Sequence, residues 1–269
     1  MAAEIPSIKL THNVFIRYDI ETMTGLAIGG SDTGIQIGGV DKVVIRNPLT
    51  KEPYIPGSSL RGKIRSSLEK ALGLKLNTKI GSNVRIHGGE TEQDYDESPV
   101  LQLFGVTGKD EWSRPSRVLV RDTRLSEDSR LKMSAQRLDL PYTEVKMEVA
   151  IDRITSAANP RSLERVPAGA VFGRGEMVLS VFDGDTIGQN AVLLNYLFVG
   201  MQLVEDSYLG GNGSRGSGQV RFRNLELGYR ATMIDDRIAY GNYVQMLAVP
   251  SLAELDMTIS LPQLLGSGA

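Results

Sequence analysis

A glycine-rich segment near residue 210 has the residue types and spacing best suited to chemistry in this chain. Five glycines lie from Gly210 to Gly218, with Arg215 among them. Glycine lacks a Cβ atom, so its backbone can adopt positive φ and come close to a bulky anion. Successive N–H groups in such a loop form a concave anion site, and a guanidinium adds donors that match phosphate oxygens. The candidate phosphate contacts are Gly211, Gly213, Ser214 and Arg215. A flexible surface loop would show the same composition.

A second candidate anion site lies far upstream, where a turn leads into a helix. Pro56-Gly57 marks the turn, and Ser58 or Ser59 is the expected N-cap. The helix is predicted to end at about Leu72, before Gly73. Free N–H groups at a helix start and nearby cations favour anion binding. The candidate contacts are Ser58, Ser59, Arg61, Lys63 and Arg65. An ordinary solvated amphipathic helix would show the same pattern.

Composition limits the kinds of chemistry that are open to the chain. Its 269 residues include no cysteine and two histidines, so disulfides, thiolate zinc sites and multi-histidine metal clusters are excluded. A catalytic metal would have to be a hard ion bound by carboxylates. The net charge is −2, but the basic residues are clustered locally, which favours a defined anion-binding groove over general coating of nucleic acid. The sequence shows no membrane span and no signal peptide at Met1–Pro6, and a cytoplasmic location is expected.

Hydrophobic periodicity predicts the elements that position these sites. Residues 8–20 alternate as a strand, and the helix after Ser59 has a stripe expected to be buried. That stripe consists of Leu60, Ile64, Leu68 and Leu72. Further strands are predicted at 117–125, 145–151, 170–182 and 219–227, and a second helix at 191–204. Residues 77–116 are interpreted as a loop-rich insertion and 155–165 as irregular. The order β-α-β followed by β-α-β fits an α+β, ferredoxin-like core with long insertions.

Taken together, these motifs resemble a known family, the backbone subunit of type III-A (Csm) CRISPR effector complexes, which is a RAMP superfamily protein. The motifs appear in family order over most of residues 8–228. They are Thr24–Asp32, Ile37–Asp41, Val44–Pro48, Ile55–Lys63, Leu101–Gly105, Val120–Asp122, Tyr142–Lys146, Ile151–Val166 and the glycine-rich segment.

The resemblance implies a single RAMP domain with an RRM-like core. Its predicted core covers about residues 8–76, 117–124 and 166–228, with an insertion at about 77–116. A protruding thumb hairpin is expected at about 125–165, and residues 229–269 form a C-terminal extension without an assigned role. The thumb residues of interest are Ile151, Arg153, Thr155, Asn159 and Arg161.

The resemblance also implies a function. Several copies would stack head to tail along a CRISPR guide RNA, together with other subunits of the complex, and cleave complementary target RNA at regular intervals. Asp41 matches the catalytic aspartate of the family and is the expected ligand of Mg²⁺ or Mn²⁺ in a metal-dependent endoribonuclease. Asp122, Glu144 and Glu148 are the next catalytic candidates.

Two departures from the family pattern keep alternatives open. Ala27 stands where many relatives carry a histidine, and Val149-Ala150 replaces two polar thumb residues after Glu148. A non-catalytic guide-binding scaffold is the first alternative, although Asp41 argues against it. A lone guide-processing endonuclease is the second, and the scarcity of histidine disfavours it.

Overall fold

One antiparallel sheet organises the chain in the computed structural model, which describes residues 8–30, 42–106, 113–185, 187–234 and 237–255. The strands are β1 (Leu10–Thr22), β2 (Tyr54–Ile55), β3 (Thr78–Ile80), β4 (Val84–Ile86), β5 (Val118–Val120), β6 (Thr123–Leu125), β7 (Glu144–Ile151), β8 (Ala158–Arg165), β9 (Val171–Phe182), β10 (Val220–Ala231), β11 (Met233–Ile234), β12 (Arg237–Ile238) and β13 (Val244–Ser251). The helices are α1 (Gly57–Ala71), α2 (Glu92–Glu97), α3 (Pro99–Phe104), α4 (Glu127–Ala135) and α5 (Ile187–Asp206).

The main sheet has seven strands in the order β13-β10-β1-β9-β6-β2, and β5 also pairs with β9. β1 lies between β10 and β9 and is antiparallel to both. Helices α1 and α5 are the two crossovers of the ferredoxin-like pattern, in which the central strands run in the order fourth, first, third, second. The predicted α+β class and ferredoxin-like core are therefore confirmed.

The core lies between one face of this sheet and the helices α1 and α5. Alternate residues of β1, from Val14 to Ile20, are buried on that face, as period-two strands require. From α1, Leu60, Ile64 and Leu68 are buried, but Leu72 is 42% exposed, so its assignment to the buried stripe was wrong. Leu72 is the C-cap of α1 rather than a member of its last turn, and the chain turns away at Gly73, whose φ is +63°.

Three regions are more regular than the sequence suggested. The segment interpreted as irregular contains β8, which pairs with β7 in a two-stranded sheet separate from the main one. Pro160 is compatible with this strand because an edge position needs no donor from its backbone nitrogen. The insertion holds the β3–β4 hairpin and two short helices, the first begun by a capping box of Thr91 and Asp94. The C-terminal extension contributes β13, which pairs with β10.

Among the helices in the described part of the chain, none is long and apolar enough to cross a membrane.

Candidate nucleic-acid interface

The start of α1 is already occupied by a carboxylate of the protein itself. The helix begins at Gly57 with Pro56 as N-cap, and neither Ser58 nor Ser59 makes a capping hydrogen bond, so the predicted serine cap was wrong. Instead, Gly57 N donates to Asp122 Oδ1 at 2.8 Å. A Cβ atom at Gly57 would overlap the carbonyl of Val120, which shows how closely the turn packs against the β5–β6 connection. Asp122, a catalytic candidate from sequence, therefore stabilises the positive end of a helix.

Two of the three candidate cations on α1 are engaged with the insertion. Arg61 Nη2 donates to the carbonyl of Phe104 at 2.7 Å and to Ser116 Oγ at 3.2 Å. Arg65 donates to Glu69 Oε1 at 2.8 Å and to the carbonyl of His87 at 2.6 Å. Both guanidiniums thus hold the 77–116 segment against α1. They are not directed toward the glycine-rich segment.

Lys63 is the α1 cation that approaches the glycine-rich segment. Its Nζ lies 3.9 Å from the centroid of the Tyr208 ring, a cation–π contact. Burial, and then the charge of Lys70, lowers the pKa of Lys63. The same Tyr208 ring packs so closely on Gly213 that a Cβ there would overlap it. The two candidate anion sites of the sequence are therefore joined through Lys63 and Tyr208.

Residues 209–218 form the glycine loop, and its backbone geometry requires glycine at two positions. Gly210 and Gly218 have φ of +78° and +85°, in the region that favours glycine. A Cβ atom at Gly210 would overlap the carbonyl of Ala27, and one at Gly218 the carbonyl of Leu209. Gly211 N donates to the Ala27 carbonyl at 2.8 Å, so this predicted phosphate donor serves the fold instead. Ala27, the departure from the family pattern, thus contacts the loop through its backbone.

The glycine loop carries Arg215 at the end of a single 3₁₀ turn, Gly213–Arg215. Asn212 and Gly216 flank this turn in the left-handed conformation, with φ of 58° and 81°. The turn presents Arg215, 54% exposed, toward the β7–β8 hairpin. Arg215 Nη1 donates to Glu148 Oε2 of β7 at 2.7 Å.

A groove of about 360 Å³ separates the hairpin from the glycine loop. Polar residues of three segments line it: Lys42, Glu148, Asn159, Arg161, Asn212 and Arg215. Asn159 and Arg161 lie on β8, and Arg161 stands directly across from Glu148 of β7. The groove has three cations against one carboxylate, so its electrostatic potential favours an anion.

The predicted thumb residues separate into two groups. Asn159 and Arg161 line the groove, whereas Ile151 and Arg153 are exposed at the far end of the hairpin. Thr155 lies in the hairpin turn, where its N–H and hydroxyl both donate to Asp152 Oδ1, at 2.7 and 2.9 Å. The structure therefore assigns Thr155 a role in forming the turn.

The two remaining carboxylate candidates are paired with cations. Glu144 Oε1 accepts from Arg165 Nε at 2.6 Å across the hairpin. Glu148 lies 3.1 Å from Lys146 Nζ in addition to its contact with Arg215. Lys146, and then Arg215, holds the pKa of Glu148 below its usual value, so this carboxylate is charged near neutral pH.

Asp41, the principal catalytic candidate, lies outside the described residues, as does Asp32. The next residue, Lys42, lies beside β8. Lys42 forms a parallel bridge to β8, and its carbonyl accepts from Glu164 N at 2.9 Å. The Glu164 carboxylate, only 2% exposed, accepts from Val44 N and pairs with Arg46. Glu164 was not predicted from the sequence, because a glutamate in a segment interpreted as irregular gives no sign of burial.

In the described ranges, no three acidic or histidine side chains come close enough to hold a metal ion. Asp122, Glu144 and Glu148 each accept a hydrogen bond from a different residue of the protein: Gly57, Arg165 and Arg215, respectively. These residues alone do not fit a cation site.

The class of protein follows from comparison with known families, and it agrees with the ferredoxin-like fold. The chain belongs to the RAMP superfamily, whose family model matches residues 19–221. Among curated relatives it is similar to the CRISPR system Cms endoribonuclease Csm3 of Methanothermobacter thermautotrophicus, with 38% identity over 224 residues that cover 81% of this chain and 87% of the relative. The protein of the same name from Streptococcus thermophilus is 39% identical over 227 residues, which cover 83% and 89% of the two chains.

A solved structure is similar as well. The crystal structure of a Csm3–Csm4 subcomplex in the type III-A CRISPR-Cas interference complex matches with a TM-score of 0.56 and 26% identity. The match covers 91% of this chain and 94% of that chain. The resemblance inferred from the sequence motifs is thereby confirmed.

Proposed function

We propose that this chain is the RNA-binding and RNA-cleaving backbone subunit of a type III CRISPR effector complex. The observation that carries the proposal is its identity of 36–39% to five proteins named as Csm3 endoribonucleases, over most of both chains. The cationic groove beside the glycine loop supplies the matching chemistry. The alternative of a non-catalytic scaffold is less well supported, because these relatives are named as endoribonucleases.

Guide binding would depend on phosphate contacts in this groove. Lys42, Arg161 and Arg215 come from three different segments and line one groove, so a strand of RNA that lies in it could contact all three. Cations that contact phosphates position a strand without reading its bases. This suits a subunit that accepts guides of any sequence, since base pairing with the target provides the specificity.

Cleavage would take place next to Lys42, at Asp41. RNA breaks when its own 2′-oxygen attacks the adjacent phosphorus in line and displaces the 5′-oxygen of the next nucleotide, which leaves as a hydroxyl after taking a proton and leaves a 2′,3′-cyclic phosphate behind. This requires an unstacked nucleotide held in that geometry. The Asp41 carboxylate is suited to accept the 2′-hydroxyl proton or to hold a hard cation. Such a cation, Mg²⁺ or Mn²⁺, would stabilise negative charge on the phosphate oxygens. The described carboxylates do not complete its coordination, so phosphate oxygens of the RNA would be expected to contribute.

The same proposal includes partners. A relative was crystallised with Csm4, and we expect this chain to contact further copies of itself and other subunits along one guide RNA. A head-to-tail contact does not close on itself, and the guide would set the number of copies.

The assembled complex provides the test. RNA extracted from the purified complex should be a discrete set of small species with a common repeat-derived 5′ end. Complementary RNA should be cut at regular intervals in Mg²⁺ buffer, and EDTA should abolish the cutting. Absence of bound RNA would contradict guide binding. Cleavage that persists in EDTA would contradict the metal requirement but leave the endoribonuclease assignment standing.

A further inference from the structure

Glu148 is the single acid among the described residues that line the groove. Its two carboxylate oxygens face two different cations: Oε1 lies 3.1 Å from Lys146 Nζ, and Oε2 lies 2.7 Å from Arg215 Nη1. A phosphodiester group also offers two charged oxygens, and a guanidinium binds either group with similar geometry. The carboxylate therefore sits where an RNA phosphate would meet the same two cations.

The contact also joins two elements that are distant in sequence. Glu148 belongs to the β7–β8 hairpin and Arg215 to the glycine loop, 67 positions further along the chain. The hairpin forms its own two-stranded sheet and is separate from the main sheet. The carboxylate is largely covered, with 18% exposure, while Arg215 is 54% exposed. Arg215 thus remains accessible from the groove while Glu148 holds it.

We propose that Glu148 is a placeholder: in the RNA-free chain it occupies the position of one phosphodiester group between Arg215 and Lys146, and bound RNA displaces it. The inference rests on the proposed function of the groove and adds a competition within it. When a phosphate replaces the carboxylate, it takes over the link between Lys146 of the hairpin and Arg215 of the glycine loop.

The strength of the contact is compatible with such an exchange. An ion pair that remains partly open to solvent changes an equilibrium by a factor of about 2 to 5, much less than a fully buried pair. Arg215 is more than half exposed, so solvent screens the contact. RNA, which brings several phosphates to Lys42, Arg161 and Arg215 together, is expected to win the competition.

A double-mutant cycle on the full chain tests the placeholder. Glu148→Gln keeps the shape of the side chain and removes its charge. Binding of a fluorescein-labelled single-stranded RNA of mixed sequence, followed by anisotropy, should become tighter by about 2- to 5-fold, the range of one exposed ion pair. Arg215→Ala should bind more weakly. In the Arg215→Ala background, Glu148→Gln should have much less effect, because the pair that it breaks is already absent.

A matched control distinguishes competition from general charge repulsion. Glu127→Gln also removes one carboxylate from an exposed ion pair, with Arg130 on α4, and should leave RNA affinity unchanged. An equal gain from Glu148→Gln in both backgrounds would mean general repulsion and overturn the proposal, as would unchanged or weaker binding. Equal melting temperatures would show that the variants are folded. If the wild-type chain itself bound no RNA, the proposed function would fail; tight wild-type binding with an inert Glu148→Gln would overturn the placeholder alone.

Discussion

The start of α1 and the groove beside the glycine loop both carry cations, but the protein uses them differently. On α1, Arg61 and Arg65 donate to backbone carbonyls of the insertion, and Asp122 occupies the helix start. In the groove, Lys42 and Arg161 line an open cavity of about 360 Å³, and Arg215 pairs with Glu148 while remaining 54% exposed. Positive charge in a sequence thus becomes a binding site only where the fold leaves its donors facing a cavity.

In the sequence, both groups of basic residues were predicted to bind phosphate, but the structure indicates different roles for them. The α1 residues stabilise the junction between the helix and the insertion, so their loss should lower stability first. The groove residues contribute little to the core, so their loss should change RNA binding or cleavage first. Four sets of substitutions, from the largest expected effect to the smallest, can break or sharpen this distinction.

The largest effects are expected from two aspartates, Asp41 next to the groove residue Lys42 and Asp122 at the start of α1. In the assembled complex, Asp41→Ala should lose target cleavage or reduce it by orders of magnitude, while guide and target binding persist, because the carboxylate acts chiefly in the transition state. Asp122→Ala should instead destabilise the chain by about 0.5–2 kcal/mol, as loss of a helix cap does, with cleavage by the folded complex retained. Full-rate cleavage by Asp41→Ala would move the chemistry to another carboxylate.

A glycine in each region gives the next comparison. Gly218→Ala should destabilise the protein by about 1–3 kcal/mol and reduce RNA retention, since its φ is +85° and a Cβ atom would overlap Leu209. A methyl group at Gly62, in the middle of α1, would meet no neighbouring atom within 4 Å, and Gly62→Ala should stabilise by about 0.5–1 kcal/mol. Thermal or urea unfolding measures both. A neutral Gly218→Ala would show that the loop conformation is adaptable.

Two arginines distinguish charge that holds the fold from charge that binds RNA. Arg61→Ala should lower the free energy of unfolding by about 1.5–3 kcal/mol, the range for a hydrogen bond that involves a charged group, here to the Phe104 carbonyl. The salt dependence of RNA binding by this variant should not change. Arg215→Ala should leave stability within about 0.5 kcal/mol and reduce the slope of log affinity against log salt by about 1. The reverse pattern would place the RNA along α1.

The smallest effect is expected at Ser59. A capping serine would cost about 0.5–2 kcal/mol when replaced by alanine. Ser59 makes no capping hydrogen bond, so Ser59→Ala should change the free energy of unfolding by less than about 0.5 kcal/mol, and RNA retention should stay the same. A clear loss of RNA retention would show that the serine hydroxyls contact phosphate after all.

Much of the fold followed from local patterns, and much of the site did not. The alternation along β1 and the apolar spacing of α1 and α5 were sufficient for the ferredoxin-like core, since periodicity reflects which face is buried. The positive φ at Gly210 and Gly218 agreed with the glycine pattern. By contrast, the engagement of Arg61 by Phe104 and of Glu148 by Arg215 joins residues 43 and 67 positions apart. Such pairings depend on tertiary packing, which a local pattern does not contain.

The edge strands of the main sheet have features that disfavour pairing with a strand of another chain. In the described part of the chain, the strand order of this sheet ends at β13 on one side and at β2 on the other, while the short β5 pairs with β9 beside β6. β13 contains Pro250, which has no N–H to offer, and β2 is two residues long between Pro53 and Pro56. Both edges are therefore poor templates for an added strand. In the assembly proposed above, neighbouring copies would not pair these two edges into a continuous sheet, so they could separate again without unfolding.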